Sequence, residues 1–174
     1  PIAAASIGQV HRAKTKDGRE VALKIQYPGI RKSIDSDVDN IAMLIKMSGL
    51  LPRDLDITSL LEQAKQQLHD EAQYQREGQC LKQFGRLLAD KNDFKVPALY
   101  EDLTTPDILA MSYVSGQPIE TLASAPPATR DRVVSLLIQL LLLELFDFHL
   151  MQTDPNFANY KYNPETQQVV LLDF

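Results

Sequence analysis

The sequence predicts an α+β protein, with antiparallel strands gathered near its start and helices following them. Three observations carry that expectation. An Asp-Gly turn signal divides two β-rich runs in "QVHRAKTKDGREVALKIQ". Apolar residues then recur at helical spacing from residue 34 onward, and a long apolar run, "VVSLLIQLLLLELFDFHL", precedes a short terminal strand, "VVLLDF". At 174 residues, with 44% apolar and 24% charged side chains, the composition is that of a globular chain with one modest core. A net charge of -5 argues against nucleic acid as a partner, because such binders normally show a basic stripe. The single cysteine, Cys80, rules out an intramolecular disulfide and fits a partly buried helical thiol in a reducing compartment. The chain opens on Pro1 and ends on Phe174 inside a motif, which reads as a segment of a longer protein.

In the first hairpin, Asp17-Gly18 supplies the positive φ of a tight turn, and Val21 and Leu23 alternate with Ala22 and Lys24. "YPGI" ends the second strand, since proline cannot donate to a ladder. Periodicity predicts a helix over 34–50, capped by Ser33 or Asp35. After "LPRDLD", a second helix is expected over 57–88 with a break near Gly78. "VPALYEDLTTPDILAMSYVSG" supplies two short strands joined by a turn at Thr105-Pro106. The linker "LASAPPATRDR" leads into an apolar helix over 131–150. Gln139, Glu144, Asp147 and His149 interrupt that run, so the uninterrupted part is too short to span a bilayer and no transmembrane segment is expected. A loop carrying Asp154 and a strand over 169–172 complete the order.

The chemistry concentrates in three distant pieces. Lys24 lies in "VALK", on a strand reached through the small-residue loop "AAASIGQV". Asp154 and Asn159 stand five apart around a proline in "MQTDPNFANY", and Asp173 begins the closing "DF". Phosphoryl transfer asks for a cation on the phosphates, a carboxylate near the acceptor and two oxygen ligands for magnesium. Lys24 can supply the first, Asp154 the second, and Asn159 with Asp173 the third. The flexible Lys24 stem needs a carboxylate to hold it, and Glu77 in "YQREGQ" offers one. Each piece alone has a plainer explanation: an amphipathic strand, a turn, a strand end, a helix-surface acid. Their joint order and spacing agree with the protein-kinase signature set.

These segments, "AAASIGQVHRA", "VALKIQYPGI", "EAQYQREG", "MQTDPNFAN" and "LLDF", are spread over almost the whole chain, from Ala3 to Phe174. Together they resemble the UbiB/AarF family of atypical kinases, the group that includes the coenzyme Q biosynthesis kinases of bacteria and mitochondria. The resemblance implies a protein-kinase-like fold: an antiparallel-sheet small lobe with inserted helices over 1–116, its hinge at 111–116, then the start of a helical large lobe over 117–174. It implies ATP (or ADP) with Mg2+ in the cleft between them. Lys24 would contact the phosphates and pair with Glu77, Asp154 would be the catalytic-loop aspartate, and Asn159 and Asp173 the metal ligands. Aligned on Gly-x-Gly-x-x-Gly-x-Val, the glycine places fall on Ala3, Ala5 and Gly8, with Ser6 in the same phosphate-facing loop and Val10 as the valine. Two alanines for glycines predict a stiffer loop. In "MSYVSG", Met111 would be the gatekeeper and the backbone of Ser112 and Val114 would read adenine, while Val10, Ala22 and Met111 form its apolar sleeve.

Departures from ordinary protein kinases are also informative. Gln152-Thr153-Asp154 stands where they carry His-Arg-Asp, removing the arginine clamp for a phosphorylated activation segment, and Asn156 replaces a frequent lysine. Both weigh against a generic protein-serine kinase. The family also carries a Lys-x-Gly-Gln element on an N-terminal extension, held by a Glu-x-Asp pair that here reads Glu71-Ala72-Gln73. The expected function is a magnesium-dependent, ATP-binding atypical kinase or ATPase supporting ubiquinone biosynthesis. The resemblance places it at the cytoplasmic face of a bacterial inner membrane or the mitochondrial matrix side, by peripheral association, with lipid-soluble quinone precursors and quinone-biosynthesis enzymes as partners. Two alternatives stay open: a nucleotide-sensing scaffold that organises such enzymes, and a small-molecule phosphotransferase, which leaves "AAASIGQV" without a reason. The apolar helix likewise has two readings, a lobe centre or a membrane-facing surface.

Overall fold

A computed structural model describes residues 1–48, 57–152 and 156–174. Strands Ala3–Ala5 (β1), Gly8–Lys14 (β2), Glu20–Gln26 (β3) and Ile108–Ser112 (β5) form one antiparallel sheet in the order β1-β2-β3-β5. A second sheet, in the order β4-β8-β7-β6, is built from Phe94–Lys95 (β4), Gln117–Pro118 (β6), Tyr160–Asn163 (β7) and Gln168–Leu171 (β8). The α+β expectation holds, as does the Asp-Gly hairpin, where Gly18 adopts φ +92° between β2 and β3.

The alanine-rich segment is paired strand rather than open loop. Ala3 lies opposite Val10 and Ala5 opposite Gly8, leaving only Ser6 and Ile7 as the turn. Ile7 is buried there, and its carbonyl accepts from the Tyr27 amide at 3.0 Å. Gly8 is required by close approach: a Cβ would stand 2.2 Å from the Ile25 carbonyl oxygen.

Among the described residues four α-helices follow, with boundaries that differ from the sequence expectation. Ile30–Ser48 (α1) starts four residues early, because Gly29 at φ +81° turns the chain and the Ile30 amide reaches back to the Tyr27 carbonyl. Ser33 is therefore no cap; its hydroxyl donates to the Ile30 carbonyl one turn back. The expected end at residue 50 lies outside the described residues. The next helical stretch divides into Thr58–Glu71 (α2) and Tyr74–Leu87 (α3), broken at Ala72-Gln73 and not at Gly78. Gly78 sits inside α3, where its bare Cα lets the Leu99 and Leu109 side chains pack closely. Of the two strands expected in 96–116, only β5 forms; Pro97 lacks an amide for a ladder, and Leu99 meets Met111 through an isolated bridge. The turn at Thr105 is present, closed by a bridge to Ile108.

The apolar helix is Pro127–Leu142 (α4), four residues earlier than expected, with Pro127 inside the first turn, where its missing amide is harmless. Val133, Leu136 and Leu140 form its buried stripe, while Val134, Ile138, Leu141 and Leu142 face outward. Among the described residues, no helix is long and apolar enough to cross a membrane. A π-helical turn, Leu143–Phe148, ends it at His149, which adopts φ +50°. Strand β7 was not expected. Its signals are the alternation of Tyr160 and Tyr162 and the turn at Asn163, whose side-chain oxygen accepts from the Glu165 and Thr166 amides.

Two apolar clusters result. One gathers α4, the end of α3 and the second sheet around Leu136, Leu140, Val169 and Leu171; the other joins the first sheet to α1 and α3 around Ile34, Tyr74, Leu81 and Leu109. Val96 and Phe174 pack against both. The Phe174 ring lies 4.7 Å from that of Phe84, fastening the chain's last residue to α3.

Candidate active site

Strand register alone sets much of the site. Val10 lies opposite Lys24, Lys24 opposite Leu109, and Ala22 opposite Met111, so the sheet carries Val10, Ala22, Lys24 and Met111 on one face. Met111 is buried and Ala22 partly so. Ala3 and Ser6 are exposed at the sheet edge, with Ala5 half-buried between them. At the end of β5, the Ser112 amide already donates to the Ala98 carbonyl at 2.8 Å and the Tyr113 amide to the Glu20 carbonyl at 3.1 Å. The Ser112 amide is therefore taken, which leaves its carbonyl as the group there that could face a base.

Three expected residues meet directly. Lys24 Nζ donates to Glu77 Oε1 at 2.8 Å and to Asp173 Oδ2 at 3.2 Å. Lys24 and Glu77 are only 13% and 11% exposed, whereas Asp173 is 40% exposed, so the pair is enclosed and the third carboxylate opens to solvent. The Tyr74 ring lies 5.3 Å from Nζ and closes the floor. Two carboxylates thus share one ammonium in a poorly solvated place. Burial works against the Lys24 charge, but Glu77 and then Asp173 outweigh it and hold its pKa above the ordinary lysine value. Burial pushes Glu77 up to about 8, opposed by Lys24 and reinforced by Asp173. Glu77 is the least exposed of the three.

Asn159 ends a short 3-10 turn, Phe157–Asn159, and its carbonyl accepts from the Leu172 amide at 2.9 Å. That bond sets Asn159 beside the segment carrying Asp173. The expected catalytic aspartate, Asp154, lies outside the described residues, as do Thr153 and Pro155. The candidate ligands, the Asp173 carboxylate and the Asn159 amide, offer hard oxygens, which fits magnesium: that ion takes few protein ligands and leaves its other positions to water and phosphate. Among the described residues, no three His, Cys, Asp or Glu side chains group into a metal site of their own.

Residues that motif reading missed hold the carboxyl-terminal half of the site. The Gln152 side chain donates to the Asp173 carbonyl and accepts from the Tyr160 hydroxyl at 2.6 Å. Its backbone amide donates to Glu144 Oε2 at 3.3 Å. Glu144 is 4% exposed, and its other oxygen, Oε1, is buried without a partner among the described residues. An acidic residue interrupting an apolar run, eight positions before Gln152, was the available signal. Glu71 Oε2 and the Tyr74 hydroxyl are also buried without hydrogen-bond partners among the described residues.

Burial raises the Glu144 pKa above the ordinary glutamate value, with the Gln152 amide opposing it. A folded-state pKa above the unfolded one contributes stability that is present below the unfolded value and lost as pH rises through the folded one. Glu144→Gln keeps the acceptor and removes the charge. Its melting temperature is expected to gain on wild type as pH rises from mildly acidic to alkaline; parallel pH profiles for the two proteins would contradict this account.

With this geometry in place, comparisons with known proteins are informative. Residues 1–174 match the ABC1 atypical kinase-like domain. The chain is 47% identical over 174 residues to the protein named atypical kinase COQ8B, mitochondrial, of Rattus norvegicus, covering all of this chain and 33% of that protein. It is 42% identical to atypical kinase COQ8, mitochondrial, of Saccharomyces cerevisiae, again over all of this chain and 35% of the relative. The chain thus spans about a third of the length of these relatives. A solved structure described as the complex of Rv3197 with erythromycin, from Mycobacterium tuberculosis, superposes with a TM-score of 0.81 at 28% identity, covering all of this chain and 44% of that one. The fold is kinase-like, and the chain belongs to the ABC1 atypical kinase-like family, the UbiB/AarF group that its motifs resemble.

Proposed function

We propose that this domain binds Mg-ATP (or ADP) between the small lobe, 1–116, and the start of the large lobe, 117–174, and acts as an atypical kinase or ATPase supporting ubiquinone (coenzyme Q) biosynthesis. The observation that supports it best is the enclosed Lys24–Glu77 pair with Asp173 at its open side. In this reading Glu77 fixes the Lys24 stem, so that the ammonium is already aimed when phosphates arrive and little reorganisation is needed. Asp173 and Asn159 would hold Mg2+, which when bound neutralises charge on the polyphosphate. Asp173 would then leave Lys24 to Glu77 and the phosphates. Val10, Ala22 and Met111 form the apolar wall for the base, with the Ser112 carbonyl and the Val114 backbone at its edge. The strand pairing of Ala3 and Ala5 supports a rigid phosphate cover formed by 3–8. Asp154 would orient the acceptor or a water.

The relatives named mitochondrial support a matrix-side location, or the cytoplasmic face of the inner membrane in a bacterium. Lipid-soluble quinone precursors and their enzymes would be reached there by peripheral association. The unpartnered Glu71 Oε2 supports a contact with the family's Lys-x-Gly-Gln extension.

The test is Mg-dependent ATP binding and turnover in the whole protein, with Asp173→Asn and Asp154→Asn beside wild type. Asp173→Asn is expected to lose magnesium-dependent binding. Asp154→Asn is expected to bind normally and to lose turnover by about 10²-fold or more. Undiminished biological function in Asp154→Asn would instead favour the nucleotide-sensing scaffold, and absence of any nucleotide binding by wild type would overturn both.

A further inference from the structure

The break between α2 and α3 is held by two side chains, Gln26 and Arg31, to which the motifs assign no role. Gln26 Nε2 donates to the Ala72 carbonyl at 2.7 Å, and Arg31 Nη2 donates to the same oxygen at 2.6 Å. Arg31 Nε also donates to Gln26 Oε1 at 3.2 Å, which orients the Gln26 amide with its NH2 toward Ala72. A further bond from Arg31 Nη2 reaches the Pro106 carbonyl, tying in the turn before β5. Gln26 is 7% exposed and Ala72 2%. We propose that Gln26 and Arg31 clamp the Ala72 carbonyl and thereby fix α3 in the orientation that presents Glu77 to Lys24, which makes both positioning residues for the site. The inference rests on the nucleotide-binding reading given above.

The geometry is that of a two-rung ladder. Lys24 and Gln26 are two residues apart on β3, so they project from the same face about 6.7 Å apart. Ala72 and Glu77 are five positions apart, across the break and into the first turn of α3. One rung is Lys24–Glu77, the other Gln26–Ala72. With a single rung, α3 can pivot about the ion pair; with two it cannot. Helix α3 needs such an anchor, because its cap residue Gln73 makes no side-chain capping bond. The Glu77 amide bonds to the Gln73 carbonyl, so Glu77 lies in the first turn beyond the clamp, where fraying would be felt first. The Ala72 carbonyl is an otherwise orphaned helix-end acceptor in a buried place, and two donors, one of them charged, make it a firm attachment.

The experiment compares wild type, Arg31→Ala, Gln26→Leu, the double variant and Arg31→Lys in the whole protein. Amide hydrogen exchange is read over 73–81, and affinity for Mg-ATP is measured with and without Glu77→Gln. The double variant is expected to speed exchange over 73–81 by about tenfold or more, leaving β8 and α4 unchanged. Mg-ATP affinity should fall by about tenfold in the Glu77 background and by much less once Glu77 is glutamine, since the clamp acts through that carboxylate. Arg31→Lys should recover part of both effects. Unchanged exchange over 73–81 overturns the clamp, as does a uniform acceleration across the whole domain or an equal affinity loss in both backgrounds. A wild type that binds no nucleotide, with exchange still accelerated only over 73–81, leaves the clamp on α3 standing and overturns the nucleotide-binding reading instead.

Discussion

Replacing Lys24 by methionine is expected to reduce Mg-ATP turnover by about 10²–10³-fold while lowering stability far less than an ordinary buried ion pair would suggest. Removing one partner of a buried pair usually costs about 3–5 kcal/mol, because the survivor is left charged and unsolvated. Here the survivor has an escape. Burial already pushes Glu77 up to about 8, and Lys24 is the main group pulling that value down. Without the ammonium that value rises further, so Glu77 is neutral over a wider pH range and the penalty is limited to the cost of protonation. The sign follows from linkage: the folded pKa lies above the ordinary 4.5, so the group's contribution is intact in acid and is lost as pH rises through the folded value. The destabilisation of Lys24→Met should therefore be small near pH 5 and grow toward pH 9 in denaturant titrations. Adding Glu77→Gln should remove that growth and restore stability without restoring turnover, since replacing both partners of a buried pair is often nearly neutral. A Lys24→Met protein with wild-type turnover would remove this residue from the nucleotide site.

The parts of the site that the sequence made legible are those in which a residue type and its spacing carry the chemistry by themselves. Lys24 is separated from Glu77 by 53 positions and from Asp173 by 149, yet its Nζ lies within 3.2 Å of both, and the pairing with Glu77 is the one expected. The less legible parts depend on bonds between distant backbone groups. Periodicity runs straight through Ala72-Gln73, and nothing local marks a break there; Gln26 and Arg31 supply the alternative partners for the Ala72 carbonyl. Gly78 carried the local signal for a break but serves close packing against Leu99 and Leu109. Helix α4 began early because Pro126-Pro127 reads as linker until the chain is seen to turn there into N1 geometry. The Gln152 bonds to Asp173 and Tyr160 join three segments, and no spacing rule connects them. Strand β7 is short and pairs with β6 and β8, so its identity depends on neighbours more than on its own four residues.

Comparison of the three glycine places gives the second large expected effect. Only Gly8 is sterically obliged to be glycine. Its neighbour across the ladder is Gln26, and an added Cβ would fall 2.2 Å from the Ile25 carbonyl oxygen, 2.9 Å from its carbon and 3.1 Å from the Gln26 Cα. All three are backbone atoms, so no side-chain rotamer can relieve the clash; β2 and β3 must part. Overpacking commonly costs about 1–3 kcal/mol, and a backbone clash belongs at the top of that range. Gly8→Ala is thus expected to destabilise by about 3 kcal/mol in denaturant unfolding. Ala5→Gly, at a half-buried β1 position, should change stability by less than about 1 kcal/mol. The damage should also reach the site. Displacing Gln26 loosens its hold on the Ala72 carbonyl, and through α3 the Glu77–Lys24 pair, so Gly8→Ala should accelerate hydrogen exchange over 73–81 even under conditions where the protein stays folded. A Gly8→Ala protein as stable as wild type would show that the β2–β3 pairing is looser than this register, and would release Gly8 from the steric role that sets it apart from Ala3 and Ala5.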